Sequence, residues 1–216
     1  MIILAIDGAL GDFSCAILDG ISVRSRRATG SKRALENGLS SIADAMREAS
    51  LGPATVERIA CGVGPGGFTG LRIALSYAKS LAQAWHIPIV GVSSFDVVEY
   101  GLRFDGPMLA IVVGRPGVIS VRFQQDGRYR RSSGLIADAL DALGPLPETL
   151  SAAGATEDVL DALAERGIVV RALSSETEMP AVTVARVAAS REPAFSLHEL
   201  RADYGEAPAV KAPKAP

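Results

Sequence analysis

Gly64-Pro65-Gly66-Gly67-Phe68-Thr69-Gly70 follows the apolar run Ile59-Ala60-Cys61-Gly62-Val63 and leads into Leu71-Arg72-Ile73-Ala74, where a helical pattern begins. Glycines around a proline let the backbone take up φ > 0 and approach another surface closely, so the stretch reads as a tight strand-to-helix turn. Free N–H groups at a helix start, with the helix dipole behind them, favour an anion. Two phosphate-binding motifs are argued against by single residues. Leu71 stands where a P-loop needs its lysine, and Ile89-Val90-Gly91-Val92 stands where a dinucleotide unit needs an acid about 20 residues on. The turn is therefore an anion site, an interface, or a plain packing connection, and the rest of the chain has to decide.

The 216 residues are 48% hydrophobic and 21% charged with a net charge of −2, which suits a soluble chain with one sizeable core or two small ones and implies no polyanionic partner. Met1 to Ile6 is apolar but is not preceded by a basic region and is cut at Asp7, so it reads as a buried strand rather than a leader; no apolar run reaches membrane-spanning length. Cys15 and Cys61 sit in strand-like surroundings and read as free buried thiols of a reducing compartment, which places the chain in the cytoplasm.

Outward from the glycine turn, strands are expected at about 2–7, 13–19 and 21–27, then a helix over about 32–50 with Ser31 as N-cap, a break at Gly52-Pro53, and the strand before the turn. The helix after the turn should run to about Trp85. A strand over 87–92 and a short helix capped by Ser93 or Ser94, ending near Gly101, complete a β-β-β-α-β-α unit. A second half starts with strands at 108–113, 117–124 and 128–131 and alternates helix and strand to about Arg191, as a weak repeat of the first. The domains expected are 1–103, 104–200 and an unpacked tail over 201–216, whose end from Pro208 has a disordered composition.

In the helix after the turn, Gly70, Ala74, Ala78 and Ala82 recur every four residues as a small-residue stripe, beside Leu71, Leu75, Leu81 and Trp85 on a core face. The earlier helix repeats the scheme, with Leu35, Leu39, Ile42 and Met46 as the apolar stripe and Ala34, Gly38, Ser41, Ala45 and Ala49 as the small one. Such stripes allow close docking of a partner, or close packing of the two helices inside the domain.

Two α/β lobes that each open with antiparallel strands, Ile6-Asp7 at the end of the first strand, Gly62-Val63-Gly64-Pro65-Gly66-Gly67-Phe68-Thr69-Gly70-Leu71-Arg72-Ile73, and Gly91-Val92-Ser93-Ser94 together resemble the TsaB (YeaZ) family. The resemblance covers about the first hundred residues. It implies an α/β fold of two actin-like ATPase lobes (ASKHA, ribonuclease H-like) with mixed sheets, and a non-catalytic dimerisation subunit in bacterial threonylcarbamoyl-adenosine modification of tRNA beside the anticodon. A TsaD-like catalytic subunit would dock on the two N-lobe helices through Gly38, Ser41, Ala45, Gly70, Ala74, Ala78 and Ala82; a TsaE-like ATPase and tRNA would be reached through the complex, and the chain alone would form a homodimer. Asp7, Gly8, Ser14 and the amides of Gly66 and Gly67 become the candidate contacts for ATP or ADP at a shared or vestigial site, although Asp7 could equally cap the turn that follows its strand.

The chain departs from that family at several places. Gly67 replaces the usual serine, Glu36 alone survives of an acidic helix start, and Val113-Gly114-Arg115-Pro116-Gly117-Val118-Ile119-Ser120 lacks both acids and the tyrosine of the second-lobe motif. A sugar-kinase-like ATPase of the same fold would need an acid in that second hairpin. A metallopeptidase would need His/Glu spacing, and the two histidines, His86 at a helix end and His198 near the tail, do not supply it. Arg24, Arg26, Arg27, Lys32 and Arg33, and the smaller group Arg128, Arg130 and Arg131, form basic clusters that either steer a phosphate backbone or face solvent.

Overall fold

β1 (Ile2–Asp7) is apolar from Ile2 to Ile6, and its alternate side chains serve two different cores, because successive residues of a strand face opposite sides. Leu4 and Ile6 point into one cluster, Ile3 and Ala5 into the other. The same division continues in β2 (Phe13–Asp19), where Phe13, Cys15 and Ile17 part from Ala16 and Leu18. In β4 (Arg58–Gly64), Ile59 and Cys61 part from Ala60. β3 (Ser22–Thr29) and β5 (Ile89–Ser93) are the edges of this sheet, whose order is β3-β2-β1-β4-β5. β1 is antiparallel to β2 and parallel to β4.

One face of the first sheet is covered by α1 (Ala34–Glu48) and α2 (Phe68–Trp85). The other is covered by α6 (Pro180–Ala188), which enters from the far end of the chain with Ala181, Val182, Val184, Ala185 and Ala188 buried. The helix expected to belong to residues 104–200 thus closes the first lobe, and the chain crosses between lobes twice. The computed structural model describes residues 1–30, 33–174, 178–194 and 196–205. Ser31, Lys32 and the tail from Pro208 lie outside them. Residues 201–205 are packed, not loose: the Asp203 N–H donates to the Val63 carbonyl at 2.7 Å.

The second sheet repeats the topology, in the order β10-β9-β6-β7-β8. β6 (Met108–Arg115) pairs antiparallel with β7 (Val118–Gln125) and parallel with β9 (Thr149–Ala153). β8 (Arg128–Leu135) and β10 (Val169–Leu173) are its edges. α4 (Ile136–Asp141) and α5 (Glu157–Ala164) cover one face over Leu109, Ile111, Ile119, Val121 and Phe123. The other face meets α3 (Ser94–Glu99) of the first lobe, with Phe95 packed on Ala110 and Val112. Ser93 caps α3 by accepting from the Phe95 N–H at 3.3 Å, as its sequence position suggests.

Candidate functional site

The glycine turn touches the first hairpin rather than open space. Gly8 and Gly70 are in backbone contact: a Cβ on Gly70 would collide with the Gly8 carbonyl oxygen, and a Cβ on Gly8 with the Gly70 carbonyl. The Gly67 N–H donates to the Ala9 carbonyl at 2.8 Å. The glycines are therefore there for close approach, which seats the first turn of α2 on the loop after β1.

Asp7 ends β1 with no exposed surface. Its Oδ1 accepts from the N–H groups of Ala9 (3.1 Å) and Leu10 (3.0 Å), which is the turn-capping role open to it from sequence. Its Oδ2 is buried without a partner and lies over Gly62, where any side chain would strike it. Burial pushes its pKa up to about 6, against the pull of those two amides. Ser14, opposite Asp7 in register, accepts from the Ala181 N–H (3.3 Å) and so caps α6. The residues expected to hold a nucleotide are thus together; the Gly67 N–H, the Asp7 Oδ1 and the Ser14 hydroxyl oxygen bond within the chain, and the Asp7 Oδ2 is left without a partner. Across the cleft the second hairpin brings Gly114 to Gly66 without an acid.

The small stripes lie inward. Ala45, Ala74 and Ala78 have no exposed surface, Ala82 has 2%, and Gly38 and Gly70 are buried; Ser41 is half-buried. Gly38 takes the Tyr77 ring edge and Phe13, so close that a Cβ there would stand 2.8 Å from Tyr77. Tyr77 in turn donates its hydroxyl to the Leu35 carbonyl at 2.8 Å and clamps α1 to α2. The face α1 shows to solvent carries instead Leu35 and Leu39, 71% and 52% exposed. The expected assignment of faces on α1 is thus reversed in part. The reason is geometric: two helices side by side over a sheet that already holds Phe13 leave room only for Gly and Ala at the contact line.

A second constellation joins the lobes. Arg122 of β7, buried, donates to Glu99 through Nε (3.2 Å) and Nη2 (2.7 Å) and meets Asp96 through Nη1 at 2.8 Å; Asp96 also holds Arg191 at 2.8 Å. Burial works against the Asp96 charge, yet bonds from Arg191 and Arg122 keep its carboxyl below the ordinary range. Ser120 and Ser133, paired in register, share a hydrogen bond of 2.8 Å on the same face as Arg122 and Arg131. Of this face only Arg131 stands out in the sequence, as a member of a basic cluster. The signal was there in Ile119-Ser120-Val121-Arg122-Phe123, where polar and apolar residues alternate and so mark one polar side of a strand.

Three members of the basic clusters are engaged within the chain. Arg130 donates to the carbonyls of Leu143 and Pro145 beyond α4, and lies over the Phe123 ring at 4.6 Å. Arg27 pairs with Glu48 at 3.0 Å and Arg24 with Asp19 at 3.7 Å. His86 is exposed and ends α2 in the left-handed conformation (φ 54°) with its N–H on the Ala82 carbonyl; His198 is exposed. Among the described residues no group of three or more His, Cys, Asp or Glu could hold a metal ion, and no helix is long and apolar enough to cross a membrane. Cys15 and Cys61 are free and fully buried, and burial pushes the Cys15 thiol up to about 12.

A family model described as TsaD, tRNA N6-adenosine threonylcarbamoyltransferase, matches residues 28–199. The chain is 29% identical over 160 residues to a tRNA N6-adenosine threonylcarbamoyltransferase of Gluconobacter oxydans, covering 63% of this chain and 44% of that one. It is 30% identical over 138 residues to the tRNA threonylcarbamoyladenosine biosynthesis protein TsaB of Bacillus subtilis, covering 63% and 58%. The chain thus spans about half the length of these curated relatives. Among solved structures, YeaZ from Pseudomonas aeruginosa superposes with a TM-score of 0.67 at 23% identity, over 94% of this chain and 99% of that one. A Bacteroides thetaiotaomicron protein with an actin-like ATPase fold and unknown function superposes with a TM-score of 0.52 at 12% identity, over 80% and 90%. These two establish the fold as the two-lobed actin-like one.

Proposed function

The chain belongs to the tRNA N6-adenosine threonylcarbamoyltransferase (TsaD) family and is TsaB/YeaZ-like within it, and on that premise we propose that it is a non-catalytic subunit of threonylcarbamoyl-adenosine synthesis on tRNA. In this reading it docks a TsaD-like catalytic partner through α1 and the start of α2, and the chemistry belongs to the partner. A TsaE-like ATPase and tRNA meet it only within that assembly, and the docking face pairs two copies when the chain is alone. The setting is the cytoplasm.

One observation carries the reading: α1 exposes Leu35 and Leu39, and the start of α2 exposes Phe68, so the two N-lobe helices present large apolar side chains to solvent. Two such leucines one helical turn apart are suited to a partner helix. Burial of Ala74, Ala78 and Ala82 moves the docking surface from the small stripe to this outer face. Capture by the full chain from its own lysate, followed by identification of the bound proteins, tests the assignment. A TsaD-like protein is the expected catch; its absence, or robust ATP turnover by the chain alone, would replace a docking subunit with an ATPase.

A further inference from the structure

The last described residues cross the cleft between the lobes as a strap. Ala194 N–H bonds to the Ile89 carbonyl (2.9 Å), Leu200 packs over Gly91, and Asp203 N–H holds the Val63 carbonyl. Tyr204 then stacks on Phe68 with centroids 4.8 Å apart, and its hydroxyl accepts from Arg72 Nε at 3.0 Å, while the Arg72 guanidinium lies 4.0 Å over Phe68. Gly205 follows with φ 69°, so close to the hydroxyls of Ser120 and Ser133 that a Cβ would collide with the first. A side chain at 205 is thus disfavoured both by conformation and by space.

Beneath the strap is the polar face of β7 and β8. Arg122 on that face is already neutralised by Glu99 and Asp96. Arg131, its register partner, lies over the Phe95 ring at 5.3 Å and reaches the strap, its Nη1 3.9 Å from the Asp203 carboxylate, with both side chains about half exposed. A long, half-exposed pair of this kind contributes little to holding the strap. A hollow remains between Pro65 and Phe95 on one side and Arg131, Ser132 and Ser133 on the other, with Asp203 and Gly205 across it.

We propose that this face is an anion site for a phosphate-bearing small molecule, and that the strap closes it, with the Asp203 carboxylate standing where the ligand's phosphate sits. The chemistry is that of a guanidinium with neighbouring hydroxyls. Arg131 gives a forked pair of N–H donors that a tetrahedral dianion uses better than one distant carboxylate, and the serine hydroxyls can rotate to donate. The site is separate from the Asp7 turn, on the opposite lobe. Tyr204 is the latch, because its ring and hydroxyl hold the strap to α2 without touching Arg131.

Pyrophosphate is a suitable probe, read by titration calorimetry on the full chain and on Tyr204→Ala. Release of the latch should tighten binding roughly tenfold, the gain when a site closed about nine-tenths of the time is opened fully. Adding Arg131→Ala to Tyr204→Ala should abolish that gain. Binding that is no tighter in Tyr204→Ala, or that survives loss of Arg131, would overturn the proposal. A second measurement needs no variant: pyrophosphate should speed tryptic cleavage after the exposed Arg201 in the unmodified chain, because ligand and strap compete. A cleavage rate that does not change with pyrophosphate would equally overturn it.

Discussion

The two lobes have the same strand order and strand directions, yet only one has a complete helical cover. In the first lobe, α1 and α2 (15 and 18 residues) close one face and α6 the other, so both faces of β1 are apolar. In the second, α4 and α5 (6 and 8 residues) close one face, and the other leans on α3 through Phe95 and the Arg122 ion cluster. The strand ends differ too: β1 stops at the buried Asp7, whereas the corresponding part of β6 carries Val113, 41% exposed. One topology can thus be kept while its cleft chemistry is dismantled, because the sheet depends on apolar alternation and the cleft on a few polar groups.

If the second lobe depends on the first through Arg122, removing that side chain should cost most. Arg122→Ala leaves Asp96 and Glu99 partly buried, and a loss of about 3–5 kcal/mol is expected in denaturant unfolding, with the second lobe losing amide protection first. A loss under about 1 kcal/mol would mean that the lobes stand independently. Ala74→Trp should destabilise the first lobe by about 3 kcal/mol or more, since Ala74 has no exposed surface and a Cβ on Gly8 would stand 3.2 Å from it. Unchanged melting would put the small stripe back on the surface.

Asp7 distinguishes the two strand ends by pH. Its carboxyl titrates near 6 in the fold against an ordinary 3.8, so the folded state holds that proton more tightly than the unfolded chain. Ionising it therefore costs stability as pH rises through that window, about 3 kcal/mol in full. The stability of Asp7→Asn relative to the unmodified chain should improve between about pH 4 and pH 7 and then level off; a difference independent of pH would contradict the buried, half-satisfied carboxyl. The smallest effect expected is at the α1–α2 clamp. Tyr77→Phe loses one hydrogen bond to the Leu35 carbonyl, worth about 1 kcal/mol in a melting curve.

Most of the first lobe was legible in its sequence. The strands over 2–7 and 13–19, the Ser93 cap and the turn between β4 and α2 all follow from local pattern, because central strands and glycine turns are specified within a few residues. The faces of α1 were not. Leu35 and Leu39 look like core and Gly38 like surface until one knows that Phe13 and Tyr77 converge on Gly38, and that is a contact over 25 and 39 positions of sequence. The return of α6 and the strap over 196–205 were hidden for the same reason: their partners, Ser14, Val63 and Arg72, lie more than a hundred residues away. The Arg122 cluster joins β7, α3 and the segment after α6, and only the Ser120/Arg122 alternation announced it.

The outer face of α1 is the proposed docking surface. Leu35→Asp/Leu39→Asp should melt within about 0.5 kcal/mol of the unmodified chain, since both side chains are largely in solvent. Capture of a purified TsaD-like subunit by the two forms is the direct measurement. Retention by the unmodified chain and loss in the double variant is the predicted result; equal capture by both would place the docking surface elsewhere.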